Sequence, residues 1–276
     1  MPTGSLSNPR FTQQPQLADV FAGKTLLKKG ARGDGVLAVQ EALRDMGFNL
    51  QTYTKAGVKK GGPDGIWGPQ TDTAVLNFQQ HTSHFYPQVK ADGVFGRMTL
   101  TALDQLAPLP GKKASDLGQP CKLPGSHWSP STSLKVVVVL DEHRTFFFDE
   151  GGRCAAIYAN ATGKGANHTD PGLKVVVSLL NEAETRATGI RLWGDPNAFG
   201  VRIINLNWAN GRSSGEELHG TGSPEQMGQN VSHGCVRHFN EDIVPLWDRM
   251  KVGDKVAVVS TITDVMLVQA SSNAMV

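Results

Sequence analysis

The sequence predicts an α+β chain of two domains: a small three-helix unit, then a mainly-β sandwich or barrel. Three observations carry that expectation. A helical apolar period and a repeated turn pattern fill residues 24–106, prolines crowd 107–130, and β-branched runs dominate from 131 onward. The 276 residues suffice for one large or two modest domains. The expected boundaries are an N-terminal arm over 1–23, a helical domain over 24–106, a linker over 107–130, a β domain over 131–262 and a tail over 263–276.

In the first domain the spacing of Val36, Val39, Leu43 and Met46 predicts a helix from about 36 to 46, with Asp34 as its N-cap. Two segments then share the pattern Asp-Gly-aliphatic-aromatic-Gly-x-x-Thr: Asp64-Gly65-Ile66-Trp67-Gly68-Pro69-Gln70-Thr71 and Asp92-Gly93-Val94-Phe95-Gly96-Arg97-Met98-Thr99. Each Asp-Gly makes a turn, the aromatic plugs a small core, and the second glycine lets a helix start sharply. Pro69 suits a first helical position. Ala74, Val75 and Phe78 fall on one helix face, Leu100 and Leu103 on the next. Residues 51–62 are expected to form a loop. Pro108, Pro110, Pro120, Pro124 and Pro130 make the following stretch a semi-rigid linker.

The second domain reads as strands over 134–140, 145–148, 154–159, 173–178, 201–206 and 252–259, bounded by Gly, Asp and Asn, with a hairpin at Glu150-Gly151-Gly152-Arg153. One late helix is expected from Asn240.

Charge and hydropathy exclude several function classes. The formal net charge is +2, and no Lys/Arg run exceeds two residues, so there is no nucleic-acid footprint. No apolar stretch approaches the ~18 residues that span a bilayer; Val136 to Leu140, for example, is strand-sized. The start, Met1 to Arg10, is polar and turn-rich, without the apolar core of a Sec signal. Three cysteines, Cys121, Cys154 and Cys235, leave at least one thiol unpaired. A Cys121–Cys154 disulfide and two separate thiols both fit the sequence.

The chemistry concentrates at Val231-Ser232-His233-Gly234-Cys235-Val236-Arg237, preceded by His219-Gly220-Thr221. A cysteine is a poor nucleophile while protonated, and a nearby imidazole or backbone donor favours its thiolate. One thiol between a glycine and an arginine, with two histidines close by, reads as acyl transfer by a cysteine nucleophile. A lone Cys235 would more simply be a small buried hydrophobe. A zinc site is the other rival, since Cys235, His219, His233 and His238 are all ligand types. However, the stretch lacks the His-Glu-x-x-His helix and paired Cys-x-x-Cys spacing. His233, two residues from Cys235, would share a strand face with it, whereas His219 would return across a hairpin.

These residues resemble the signature of YkuD-type L,D-transpeptidases. The resemblance covers roughly 133–261: Ala161-Thr162-Gly163-Lys164-Gly165 and Asp170-Pro171-Gly172 match its glycine-rich turns, and Val252 to Val259 matches its closing strand. Asp170 stands where that family carries threonine, and His238 where it carries an apolar residue. Residues 24–106 resemble a three-helix peptidoglycan-binding module, on Leu26 to Gly30, Val39-Gln40, the two turn repeats and Phe78-Gln79-Gln80.

The resemblance implies attack by Cys235 on a peptidoglycan tetrapeptide stem, thioester formation and loss of the terminal D-alanine. An amine, a free D-amino acid or water then resolves the thioester. It points to His219 as the base and to His233 as support. The backbone N–H groups of Gly234 and Cys235 then lie near the oxyanion. Arg237, with Ser232, Gly220 and Thr221, is expected beside the substrate, Arg237 gripping a carboxylate; an internal salt bridge is its alternative role. Trp193, Trp208 and Tyr158 are expected in the cleft or, failing that, in the core. No cofactor or metal is implied. The other classes considered are a wall-binding protein with a silent catalytic domain and a metal-dependent hydrolase. The partner is peptidoglycan, so the site of action is the periplasm or cell wall. Without a visible leader, the sequence suggests export by a type VI secretion apparatus as an antibacterial toxin, countered by an immunity protein in the producer.

Overall fold

A computed structural model describes residues 5–53, 59–112, 134–151 and 154–264, which fall into two compact units. In the first, α3 (Asp34–Asp45), α4 (Pro69–Ser83) and α5 (Arg97–Leu106) are the three expected helices. Val36, Val39, Leu43 and Met46 are all fully buried, as the period predicts. Asp34 is the first helical residue and Gly33 the cap, one position earlier than expected.

The two turn repeats are held by one device used twice. Asp64 Oδ1 accepts from Ile66 N and Asp92 Oδ1 from Val94 N, both at 2.9 Å. Gly65 and Gly93 take φ of +72° and +75°, which glycine adopts without strain. A buried glutamine reads each turn: Gln40 Oε1 accepts from Gly65 N and Gln79 Oε1 from Gly93 N, at 2.8 Å. Their Nε2 atoms donate to the threonine closing each repeat, Thr71 at 2.9 Å and Thr99 at 3.1 Å. Trp67 and Phe95, the aromatics of the pattern, meet edge to face at 5.7 Å.

Two expectations are corrected here. The residues assigned to an N-terminal arm, 1–23, include α1 (Pro9–Thr12) and α2 (Pro15–Phe21), which are integral to the unit. Phe11, Leu17 and Val20 are fully buried beneath a polar outer face. Asp104 accepts from Ser7 N, Ser7 Oγ and Asn8 N, and Arg10 pairs with Asp45 at 2.6 Å in the interior. The 51–62 loop carries two short paired strands, β1 (Gln51–Tyr53) and β2 (Lys59–Gly61).

The second unit contains β3 (Leu134–Val139), β4 (Arg144–Phe148), β5 (Cys154–Gly163), β6 (Gly172–Leu180), β7 (Ile203–Trp208), β8 (Ser213–His219), β9 (Asn230–Ser232), β10 (Val236–His238) and β11 (Lys255–Val259). The order is β10-β8-β7-β6-β11-β3-β4-β5, and β10 pairs again with β5, so the sheet closes. Sandwich or barrel thus resolves to barrel, with three-residue β10 as the closing strand. Strand β10 runs parallel to β8 (Val236↔Leu218, Arg237↔His219) and antiparallel to β5 (Arg237↔Ala161). Val136, Val138, Val176, Ile204, Leu206, Leu218, Val236, Val256 and Val258 form one core, together with Ile243 and Leu246 of α7 (Asn240–Trp247).

A second helix, α6 (Glu182–Trp193), was not expected. Its caps are explicit: Asn181 and Glu184 form a reciprocal capping box, and Gly194 ends it in the left-handed region. It buries only Thr185 and Gly189, so its apolar period is too weak to announce a helix. Cys121, and with it the Cys121–Cys154 pairing, lies outside the described residues, as do most of the linker and tail.

Candidate active site

The β8–β10 register decides which side chains meet. Leu218 and Val236 point into the core, so period two sends Glu217, His219, Cys235 and Arg237 to the opposite face. Cys235 thereby stands beside Glu217, and Arg237 beside His219. A cavity of about 340 Å³ is lined by His219, Cys235, Arg237, Trp193, Phe199 and Ser223, among others.

His219 is buried at the end of β8, its ring set edge-on to Phe199 at 5.0 Å. Its Nδ1 donates to the Gly220 carbonyl oxygen at 2.5 Å, and the ring also meets the Phe199 backbone. Burial, helped by the Arg237 charge, pushes its pKa down to about 3, so the imidazole is neutral. The Cys235 thiol donates to Glu217 Oε2 at 2.5 Å. Burial and then the Glu217 carboxylate push that thiol well above its ordinary range. Burial raises Glu217 in turn, while the thiol hydrogen bond lowers it.

The turn carrying the cysteine is built by Ser232 and Gly234. Ser232 Oγ donates to the Cys235 carbonyl at 2.5 Å and accepts from Gly234 N at 3.2 Å. Gly234 has φ +117°, a region closed to most side chains. Ser232, expected beside substrate, therefore spends its hydroxyl on the turn. The Gly234 N–H is engaged too, so Cys235 N–H is the remaining donor of the expected oxyanion pair. His233 and Cys235 lie in the turn between β9 and β10, where the positive φ at Gly234 interrupts strand alternation, and both line the cavity. His233 is exposed and stacks on Trp193 at 5.7 Å. The strand ending at His219 and the strand following Cys235 are a parallel pair, not a hairpin, and both residues line the cavity.

Gly220 and Thr221 are held by Asn240, the first residue of α7. Asn240 Oδ1 accepts from Thr221 N and its Nδ2 donates to Thr221 O, both at 3.1 Å. A Cβ on Gly220 would stand 2.3 Å from Asn240 Oδ1, so that position is sterically closed. Arg237 Nη1 donates to Gln226 Oε1 at 2.7 Å, a neutral acceptor and not a salt-bridge partner, and its buried Nε has no hydrogen bond. Trp193 lines the cavity, whereas Tyr158 joins the core and Trp208 packs over Lys174 Nζ at 4.7 Å. His238 turns the other way and meets Thr145 Oγ1 at 2.8 Å through Nε2. Among the described residues, no three His, Cys, Asp or Glu side chains converge as a metal site. Sequence reasoning missed Glu217 and Asn240. Period two from His219 would have found the first.

A closed barrel presenting a cysteine, a histidine and an arginine on one face of adjacent strands is the class of site defined here. Residues 133–258 match the L,D-transpeptidase catalytic domain family (YkuD), and residues 32–103 match a provisionally assigned peptidoglycan binding domain family. Residues 133–258 thus carry a YkuD-type L,D-transpeptidase catalytic domain, with a peptidoglycan-binding domain ahead of it in the sequence. YqjB of Bacillus subtilis, provisionally named an L,D-transpeptidase, is 32% identical over 104 residues, 37% of this chain and 58% of that protein. YkuD of Bacillus licheniformis, named likewise, is 28% identical over 163 residues, 59% of this chain and 87% of that protein. The type VI secretion system spike protein VgrG3 of Vibrio cholerae is 37% identical over 84 residues, 28% of this chain and 8% of that protein. The chain thus spans little more than half the length of YqjB and a small part of VgrG3.

Proposed function

We propose that this chain modifies peptidoglycan as a cysteine L,D-transpeptidase, acting on tetrapeptide stems through a thioester on Cys235. The observation that supports it most is the placement of Cys235, His219 and Arg237 around one cavity on the β8–β10 face. Sγ attacks the carbonyl of the third stem residue, the bond to the terminal D-alanine breaks, and the thiol proton leaves on the D-alanine amine. Neutral His219 is suited to carry that proton, and later to take one from the acceptor amine. The N–H of Cys235 faces the developing oxyanion, and Arg237 binds a stem carboxylate through its unused donors.

The test is incubation of the full chain with soluble tetrapeptide muropeptides, products read by mass spectrometry. Release of D-alanine, lost in Cys235→Ala, supports the reading, and cross-linked dimer, exchanged stem or tripeptide identifies the acceptor. D-Alanine release that survives Cys235→Ala would refute it. The helical domain is assigned to holding the enzyme on intact sacculi in the periplasm or wall. Pull-down with purified sacculi tests this, and no co-sedimentation of the full chain would remove the assignment.

A second reading, favoured by the partial match to a spike protein, is delivery into a neighbouring cell by a type VI apparatus, with an immunity protein in the producer. Expression in a Gram-negative host behind an added Sec leader tests it. Toxicity that Cys235→Ala abolishes supports the reading, and normal growth contradicts it.

A further inference from the structure

Glu217 has no place in the reaction as set out above, yet it is the group that touches the sulfur. Its carboxylate accepts the thiol hydrogen bond at 2.5 Å, and strand register explains why: Val236 pairs with Leu218, so the preceding residues on β10 and β8 are neighbours on the site face. The remaining charges nearby make their hydrogen bonds and ion pairs elsewhere, although Lys174 and Arg237 act on Cys235 through space. Glu216, one residue back, turns to Lys174 Nζ and accepts from Asp170 N at 2.7 Å. Lys174 is fully buried and also lies over Trp208. Asp170 pairs with His168 at 2.8 Å on the surface. Arg237 is bonded to Gln226, and His219 is a neutral donor to Gly220. Among the described residues, none of these side chains hydrogen-bonds the Glu217 carboxylate, whereas the thiol does.

We propose that Glu217 is a further catalytic residue: its carboxylate holds the Cys235 proton in the resting site, keeping the nucleophile idle until substrate displaces or neutralises that carboxylate. This deepens the transpeptidase reading and rests on it for the meaning of "substrate". The physical claim concerns the sulfur alone. An anionic carboxylate in hydrogen-bond contact opposes a second negative charge on sulfur, and it does so strongly where water is excluded. The two groups act as a coupled pair, so the proton on sulfur is a property of both. For attack, the S–H bond breaks, the S–C bond forms, and the proton passes by way of the base to the departing D-alanine amine. Nothing is oxidised or reduced. A hydrolytic or acyl-transfer thiol held this way is protected from adventitious oxidation and alkylation, because the thiolate is the reactive form.

The test is the pH profile of Cys235 alkylation by iodoacetamide, a neutral reagent, in the full chain, with the modified cysteine identified by peptide mapping. Glu217→Gln keeps the shape and removes the charge. The profile is expected to move to lower pH, and each unit moved makes alkylation about tenfold faster below the midpoint. Glu217→Asp, which keeps the charge, is expected to stay nearer the parent than Glu217→Gln. An unchanged profile in Glu217→Gln, or one moved to higher pH, overturns the proposal. So does slower alkylation at every pH, which would make Glu217 the base that activates the thiol. Release of D-alanine by the same parent preparation is measured in parallel. Its absence would refute the transpeptidase reading while leaving the alkylation result to judge Glu217.

Discussion

Asn240→Ala should show how far the site depends on a residue that touches neither sulfur nor imidazole. The Asn240 amide makes two hydrogen bonds of 3.1 Å to the backbone of Thr221, which is 3% exposed. Truncation strands a buried N–H and a buried C=O, at about 1–3 kcal/mol each, so roughly 2–6 kcal/mol together. The damage is directional as well. Thr221 follows Gly220, whose carbonyl orients His219 through Nδ1. A freed 220–221 segment lets the imidazole wander, and misplacement of about 1 Å costs on the order of a hundredfold in rate. Urea unfolding of the barrel gives the stability change, and D-alanine release from soluble stems gives kcat. Both should fall in Asn240→Ala. Asn240→Asp, which keeps the acceptor for Thr221 N and loses the donor to Thr221 O, should be intermediate in stability. Full stability with full kcat in Asn240→Ala would refute the reasoning.

Three buried histidines make the barrel acid-sensitive. Burial lowers His143 to about 4, and His219 and His238 to about 3, against an unfolded value near 6.5. The unfolded chain therefore binds protons that the folded barrel refuses, so stability is greatest above pH 6.5 and falls with pH below it. A urea midpoint that stays level between pH 6.5 and 5 would contradict this. In the helical unit, Asp104→Ala removes the acceptor of Ser7 N, Ser7 Oγ and Asn8 N, and should loosen α1 and α2 before the rest; amide exchange at Phe11 and Leu17 no faster than in the parent would count against it. Arg237→Lys keeps charge but not the fork. It should raise KM for stems more than it lowers kcat, and an unchanged KM would remove Arg237 from substrate binding.

The helical unit was legible in its sequence because one short pattern appears twice. Each Asp-Gly turn, plug aromatic and closing threonine then has a fixed job around Gln40 and Gln79. Strands β3 to β7 were legible from apolar, β-branched and aromatic runs, buried almost throughout in β3, β4 and β5 and only in part in β6 and β7. Helix α6 was not, because its signal lies in its caps and not in an apolar stripe. Helices α1 and α2 were hidden by their brevity and by polar residues that face outward around Phe11, Leu17 and Val20. At the site, the local motif named Cys235, His219 and Arg237, but no local motif shows which strands lie side by side. The parallel β8–β10 pairing places Glu217 on the sulfur, and the packing of α7 against Gly220 recruits Asn240. The task of the Ser232 hydroxyl was hidden for the same reason: Ser232 lines the cavity, but its hydroxyl is consumed by a turn that a linear motif does not display.

The central claim is that Cys235 carries the acyl group. Intact-mass spectrometry of an acid-quenched reaction with a soluble tetrapeptide stem measures this directly, since a thioester survives the quench. The parent should gain the mass of the stem less D-alanine, on one residue that peptide mapping identifies as Cys235, and Cys235→Ala should gain nothing. The same mass gained by Cys235→Ala, or mapped to Cys121 or Cys154 in the parent, would contradict the account.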